Sequence, residues 1–232
     1  KWYQPHGKQI MEPHGIWYTP VSGIWQTVWM EPVPETYIKS FNAVPDVPGA
    51  KLAVDVKVEN MQPGDICRVQ MYDGEFLAGE GNGYQDAVWV TNPKLWSPEN
   101  PFLYDVEFIL KDAQGNVIDQ VASYFGMRKI HTEGNKIYLN NEPYYQRLVL
   151  DQGFYPDGIW TAPSDEALKR DIELSMAAGF NGARLHQKVF EERFYYWADK
   201  LGYLTWAEAP SWGLDANDVE AARNFLMEWR NL

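Results

Sequence analysis

The chain has 232 residues, 45% of them apolar, with a formal charge of −12. That size allows one large or two small domains with folded cores. The acid excess argues against a nucleic-acid surface, no run approaches the ~20 apolar residues of a membrane span, and the single cysteine, Cys67, leaves no intrachain disulfide framework.

In chain order, the first pattern is Ser22-Gly-Ile-Trp-Gln-Thr-Val-Trp-Met-Glu-Pro32. Ile24, Gln26, Val28 and Met30 alternate with Trp25, Thr27 and Trp29, which predicts a strand. One or two strands cannot bury a core alone. From about 35 to 130 the alternation recurs. Leu52, Val54, Val56 and Val58 share one face, and Ile66 to Tyr72 follow a Pro63-Gly64 turn. Ala87 to Thr91 is a strand, Tyr104, Val106, Phe108 and Leu110 alternate again, and Val117 to Arg128 closes the set. About seven short strands in this span fit an immunoglobulin-like β-sandwich. Lys136 to Tyr144 reads as a hairpin, with Asn140-Asn141 suited to its turn.

The period then changes. Tyr145 to Asp151 is an apolar run, followed by a loop over 152–162 and a helix over 163–179. Ser164 can cap that helix, and Asp165 and Glu166 suit its positive end. Asp165–Lys169 and Glu166–Arg170 are i,i+4 pairs, Leu168, Ile172 and Met176 form one stripe, and Gly179 supplies the stop. Phe180 to His186 is a second short run. The next helix carries Phe190, Phe194, Trp197 and Leu201 and ends at Gly202, and Tyr203 to Glu208 is a third strand. Strand–helix–strand–helix–strand implies parallel neighbours with helices outside. Asp218 to Leu232 is helical by pattern, with Val219, Ala222, Leu226 and Trp229 on one face. Polar groups stand where the three strands end: Asp151, Arg184 with His186, and Glu208. Such strand ends are where α/β enzymes place their chemistry.

Several stretches together resemble glycoside hydrolase family 2, the β-galactosidases, β-glucuronidases and β-mannosidases. Arg147-Leu-Val-Leu-Asp-Gln-Gly, Thr161-Ala-Pro-Ser-Asp-Glu-Ala-Leu, Gly179-Phe-Asn-Gly-Ala-Arg-Leu-His-Gln-Lys and Tyr196-Trp-Ala-Asp-Lys-Leu-Gly resemble the start of its catalytic (β/α)8 barrel. Trp96-Ser-Pro-Glu-Asn-Pro-Phe-Leu-Tyr104 and Phe125-Gly-Met-Arg-Lys-Ile130 resemble its immunoglobulin-like middle domain and the exit from it. Ser22 to Trp29 resembles the closing strands of its N-terminal sugar-binding jelly-roll sandwich. The fold class implied is multidomain β plus α/β. It comprises a jelly-roll remnant over 1–34, an immunoglobulin-like β-sandwich over 35–130, and about three βα units of a TIM barrel over 131–232.

The resemblance implies a retaining glycosidase acting on terminal β-linked sugars such as β-galactosides. Retention needs two carboxyl groups about 5–5.5 Å apart, one acid/base and one nucleophile. In the family the acid/base is a Glu after an Asn at the end of the fourth barrel strand, and the nucleophile is a Glu ending the seventh. The Asn-Glu pair here, Asn141-Glu142, falls in the entry hairpin, so no catalytic residue is carried over and a fragment without turnover is expected. The carried-over positions are substrate-binding. Arg184 and His186 match the family's Arg and His near the sugar, with Arg184 as a structural ion-pair partner the alternative. The spacing around His186 differs by one residue from the best-known galactosidase pattern, so Gln187 can take its place. Glu208 matches the acid ending the third strand and would orient Arg184 or the acid/base. Asp151 either accepts a sugar hydroxyl or fixes a loop, and Trp212 either floors the sugar site or covers the barrel top.

Other classes are weaker. Serine or cysteine hydrolysis lacks a Gly-x-Ser-x-Gly elbow, and Cys67 falls mid-strand. His6, His14, His131 and His186 show no metal-ligand spacing. No metal or cofactor is expected, and the partners expected are a glycoside or oligosaccharide, without nucleic acid or membrane. The eleven Trp and fourteen Tyr fit either β-rich cores or sugar-stacking platforms. A non-catalytic carbohydrate-binding or structural β-sandwich module is the competing function. The compartment stays open between cytoplasmic and periplasmic or secreted. Three strands of an eight-stranded barrel leave bare edges. The chain should therefore associate, as a homo-oligomer or through the open barrel edge. A clean monomer by light scattering at micromolar concentration counts against this.

Overall fold

A computed structural model describes residues 5–84 and 86–230. The chain separates into two compact units, Trp29–Tyr145 and a second that joins Lys1–Val28 to Gln146–Leu232. Sheets dominate and helices are few.

In the Trp29–Tyr145 unit seven strands form two antiparallel sheets, and three more form a small hairpin sheet. The seven are β1 (Tyr37–Asp46), β2 (Lys51–Glu59), β3 (Ile66–Asp73), β4 (Phe76–Asn82), β5 (Asp86–Trp89), β6 (Tyr104–Lys111) and β7 (Val117–Phe125). One sheet runs β1-β2-β5 and the other β4-β3-β6-β7. Alternation decides which side chains meet between them. Leu52, Val54 and Val56 from β2 share a buried core with Cys67, Val69 and Met71 from β3 and Val106, Phe108 and Leu110 from β6. The register supports this, because Cys67 pairs with Leu110, Val69 with Phe108 and Met71 with Val106. Phe41 stacks on Phe108 with ring centroids 4.4 Å apart. The Tyr104 hydroxyl accepts a hydrogen bond from the Lys94 amide at 2.7 Å, so this buried ring carries a satisfied polar tip. Burial pushes the Cys67 thiol well above its ordinary value, to about 11.

The Trp96–Tyr104 stretch owes its sequence to three jobs. The indole of Trp96 is fully buried with the Arg128 guanidinium over its ring at 4.5 Å. Ser97 and Asn100 exchange backbone hydrogen bonds at 3.0 Å. The Trp96 carbonyl accepts from the Asn140 amide at 2.9 Å, which ties the stretch to the hairpin. That hairpin is a small sheet of β8 (Ile130–Glu133), β9 (Lys136–Leu139) and β10 (Glu142–Pro143). Asn140 and Asn141 both have positive φ, 53° and 69°, as the expected two-residue turn requires.

In the second unit, β11 (Leu148–Asp151), β12 (Gly182–Leu185) and β13 (Leu204–Ala207) pair in parallel in that order. Helix α1 (Asp165–Ala177) connects the first two, α2 (Glu192–Leu201) connects the last two, and α3 (Val219–Trp229) follows. Leu168 and Ile172 from α1 pack with Ala183, Leu185, Phe190, Phe194, Ala198 and Tyr203. The side chain of Ser164 caps α1 by accepting from the Ala167 amide at 3.2 Å. Gly179 and Gly202 take the left-handed conformation at the two helix ends, with φ of 92° and 80°. The opposite sheet face, Leu150 and Trp206 flanking Arg184, is half exposed.

Asn181 and Gly182 hold the three strands in step. The Asn181 side chain accepts from the Arg147 amide at 2.7 Å, its amide donates to the Arg147 carbonyl at 3.0 Å, and its carbonyl accepts from Leu204 at 2.9 Å. A Cβ at Gly182 would lie within 2.6 Å of both the Leu204 carbonyl oxygen and Leu148 Cδ2. Only glycine allows the three strands to approach so closely here.

Four local expectations are corrected. Residues 22–32 form no strand, and Ile24, Val28 and Met30 are exposed, because no neighbouring strand pairs with them among the described residues. On α1, Asp165 turns from Lys169 to Arg193, whose fork makes two 2.8 Å bonds to its carboxylate. Bidentate geometry outweighs a solvated i,i+4 pair. Met176, the end of the expected stripe, is 36% exposed. On α3 the expected face is turned to solvent at Val219, Leu226 and Trp229, while Ala221 is fully buried.

Phe108→Ala should remove a fully buried ring and its stacking on Phe41. The expected loss is about 3–5 kcal/mol of stability in the seven-stranded unit, read from the urea midpoint of far-UV circular dichroism.

Candidate functional site

The parallel register puts three functional groups on adjacent strand ends. Arg184 lies in β12 beside Trp206 of β13, so its guanidinium can reach the residue that follows β13, Glu208. Arg184 Nε donates to Glu208 Oε1. His186 follows β12 directly, and its Nδ1 stands 2.8 Å from Glu208 Oε2. The Gln187 amide donates to the same oxygen at 3.2 Å. Burial pushes the Glu208 carboxyl up, but hydrogen bonds from Arg184, His186 and the Gln187 amide outweigh it and hold the group below its ordinary value. An ionised carboxylate only accepts. His186 therefore carries its proton on Nδ1 and, when neutral, keeps Nε2 as an acceptor. Half of the Arg184 side chain stays exposed.

This arrangement can bind a polyol. It offers guanidinium donors, an imidazole nitrogen and a fixed carboxylate at one strand-end edge, with orientation set by a carboxylate–histidine contact. Of the five sequence-derived positions, Arg184, His186 and Glu208 are brought together. Asp151 faces another task. Its Oδ1 accepts from the Gly153 amide at 2.9 Å and its backbone carbonyl from the His186 amide at 2.8 Å. Burial raises its carboxyl pKa, with the Gly153 amide and Lys188 opposing the rise. Trp212 exchanges backbone hydrogen bonds with His6 at 2.9 and 3.1 Å and meets the Trp17 ring edge-on at 5.1 Å.

The two candidates for the histidine position divide the work. His186 takes Glu208, while the Gln187 side chain donates to Ser211 Oγ at 3.0 Å and accepts from the Ser211 amide at 2.9 Å. Gln187 has φ of 58°, unusual for a residue with a side chain. Sequence reasoning missed Lys188, which is only 2% exposed. Its ammonium donates to the carbonyls of Gly153 at 2.8 Å and Trp160 at 2.7 Å. The only signal for it was its place in the Leu-His-Gln-Lys motif, since lysine ordinarily predicts a solvated position.

The profile of glycosyl hydrolases family 2 matches residues 36–128. The beta-galactosidase of Lactococcus lactis subsp. lactis (strain IL1403) is 31% identical over 192 residues, 82% of this chain and 19% of that protein. The chain belongs to glycosyl hydrolases family 2. A beta-glucuronidase of Paenibacillus borealis is 25% identical over 212 residues, 90% of this family 2 chain and 35% of that protein. Among solved structures, a β-glucuronidase from Ruminococcus gnavus in complex with D-glucuronic acid superposes with a TM-score of 0.69 at 26% identity. That match covers 76% of this chain and 31% of the other. The family 2 chain thus spans about a fifth to a third of the length of these relatives.

Glu208→Gln removes the charge that three donors share and should cost about 1–3 kcal/mol at pH 7. Because folding lowers this pKa from 4.5, the stabilisation is present above that value and is lost as pH falls through the lower folded value. The stability gap between wild type and variant in urea titrations should therefore narrow as pH falls below 4.5.

Proposed function

We propose that this chain supplies one wall of the sugar site in a retaining glycosidase that acts on terminal β-linked sugars such as β-galactosides. Arg184 and His186 contact sugar hydroxyls, and Glu208 orients both. Asp151 shapes the rim through the loop it fixes, and Trp212 offers an aromatic face at its border. Residues 35–130 are the immunoglobulin-like domain, 1–34 belong to a sugar-binding sandwich, and 131–232 form the first βα units of the (β/α)8 barrel.

The observation that carries the reading is the Arg184–Glu208–His186 cluster at the carboxyl ends of parallel strands, where such folds bind substrate. Family membership supports the glycosidase class. Neither reactive carboxyl group of the two-carboxylate mechanism is assigned to this chain. Asn141-Glu142 falls where the tight Asn140-Asn141 turn enters β10, and Glu208 is already committed to three donors. The chain alone should bind without turning over, and homo-association through the exposed edge of the parallel sheet goes with this reading.

Calorimetric titration with galactose and glucuronic acid, alongside nitrophenyl β-galactoside and β-glucuronide assays, tests this. Expected are weak saccharide binding that falls at least tenfold in His186→Ala and no hydrolysis above background. Hydrolysis by the purified chain, or binding indifferent to His186, overturns the reading. Saccharide binding that instead follows the seven-stranded unit alone favours the binding-module alternative.

A further inference from the structure

Lys188 is the buried polar group on which the loop over 152–162 converges. Its two hydrogen bonds reach the carbonyls of Gly153 and Trp160, near the two ends of the loop over 152–162. Its Nζ lies over the rings of Trp25 at 4.8 Å, Trp160 at 4.6 Å and Phe190 at 5.0 Å. Those rings come from three separate chain segments, so one lysine brings all three together, and its hydrogen bonds to two carbonyls can be donated by the amine in either protonation state. The aromatic contacts continue outward. Trp25 meets Trp160 at 5.6 Å, Trp160 meets Phe154 at 5.0 Å, and Phe154 stacks on Tyr18 at 4.2 Å. Thr161 Oγ1 donates to the Trp25 carbonyl at 2.7 Å. Gly153 has φ of 61°, and a Cβ there would stand 2.7 Å from Lys188 Nζ and 2.9 Å from Phe190 Cζ.

We propose that Lys188 is a positioning residue that pins the 152–162 loop and the Trp25 segment beside the Arg184–His186–Glu208 cluster, and so sets the shape of the saccharide rim. This rests on the sugar-site reading for its functional consequence, but the pin itself does not. The same backbone turn that sends His186 to Glu208 and Gln187 to Ser211 sends Lys188 inward two residues later. Loop and cluster are therefore set by one short stretch, 186–188.

The ammonium is costly to bury, and burial pushes it down to about 8, with Glu191, Asp151 and Asp171 pulling it back up. These are the charged groups that face it, from the start of α2, the end of β11 and α1. Asp151 and Asp171 are raised by burial from 3.8, and Tyr155, beside Asp171, is raised far above its ordinary value. Between pH 8 and 9.5 the amine is thus the group of this cluster whose protonation changes. The closed loop binds fewer protons than an opened one in that window, so opening becomes rarer as pH rises. A residue that merely fills space has no such dependence.

The test is hydrogen exchange of the whole chain, without ligand, for wild type, Lys188→Met and Gly153→Ala. Protection of 152–162 should fall at least tenfold in both variants, while α1 and α2 keep theirs within about threefold. Corrected for intrinsic exchange, wild-type loop protection should rise between pH 7.5 and 9.5, and that of Lys188→Met should stay flat. An unchanged loop, or an equal loss across the unit, overturns the proposal. Should the variants not fold, exchange of the wild-type chain decides: protection of 152–162 within about tenfold of α1 supports the pin, and a loop exchanging like an open peptide overturns it. Loop loosening in a protein that binds no saccharide leaves the pin standing and removes only the sugar-site reading.

Discussion

The register of β12 between its two parallel neighbours is the constraint on which the candidate site depends. A slip of one residue would turn Arg184 onto the helix-covered side and Ala183 to the open one. The strands are four residues long, too few for hydrogen bonding alone to specify alignment strongly. Asn181 adds that specification with a side chain that copies a backbone acceptor. Gly182 adds it by excluding every larger residue at the closest approach. With those two in place, the contact between His186 and Glu208 follows from strand length and the 3.3 Å rise per residue.

The elements were largely legible because their signals are local. Period-two alternation marked β2, β3 and β6, and a serine cap with a terminal glycine bounded α1. The cluster itself was legible at Arg184, His186 and Glu208, since charged residues at strand ends have few structural uses. The failures are non-local. Nothing near Lys188 in sequence indicates that residues 25, 153 and 160 will surround it. Trp25 read as half of a strand because its alternation is real, yet its ring turns to Trp160 instead of a cross-strand neighbour. The apolar face of α3 was misjudged for a similar reason. Helical spacing gives the width of a stripe, whereas what covers it depends on elements elsewhere.

The two units handle buried polarity differently. In the seven-stranded unit the buried side chains are nearly all apolar, and the Tyr104 hydroxyl meets a backbone partner. In the parallel unit an amine, two raised carboxyl groups and two raised phenols stand within one small region. Such grouping weakens a fold relative to an apolar core of the same volume. Its presence beside strand ends is the pattern expected where groups are held for binding more than for stability.

The placement of Cys67 has a practical consequence. Its sulfur is sealed between the two sheets and stays in the unreactive thiol form at neutral pH. Alkylating reagents can meet it only when those sheets part. A single native atom thus clocks the opening of the seven-stranded unit, blind to events in the parallel unit, with no label engineered into the protein.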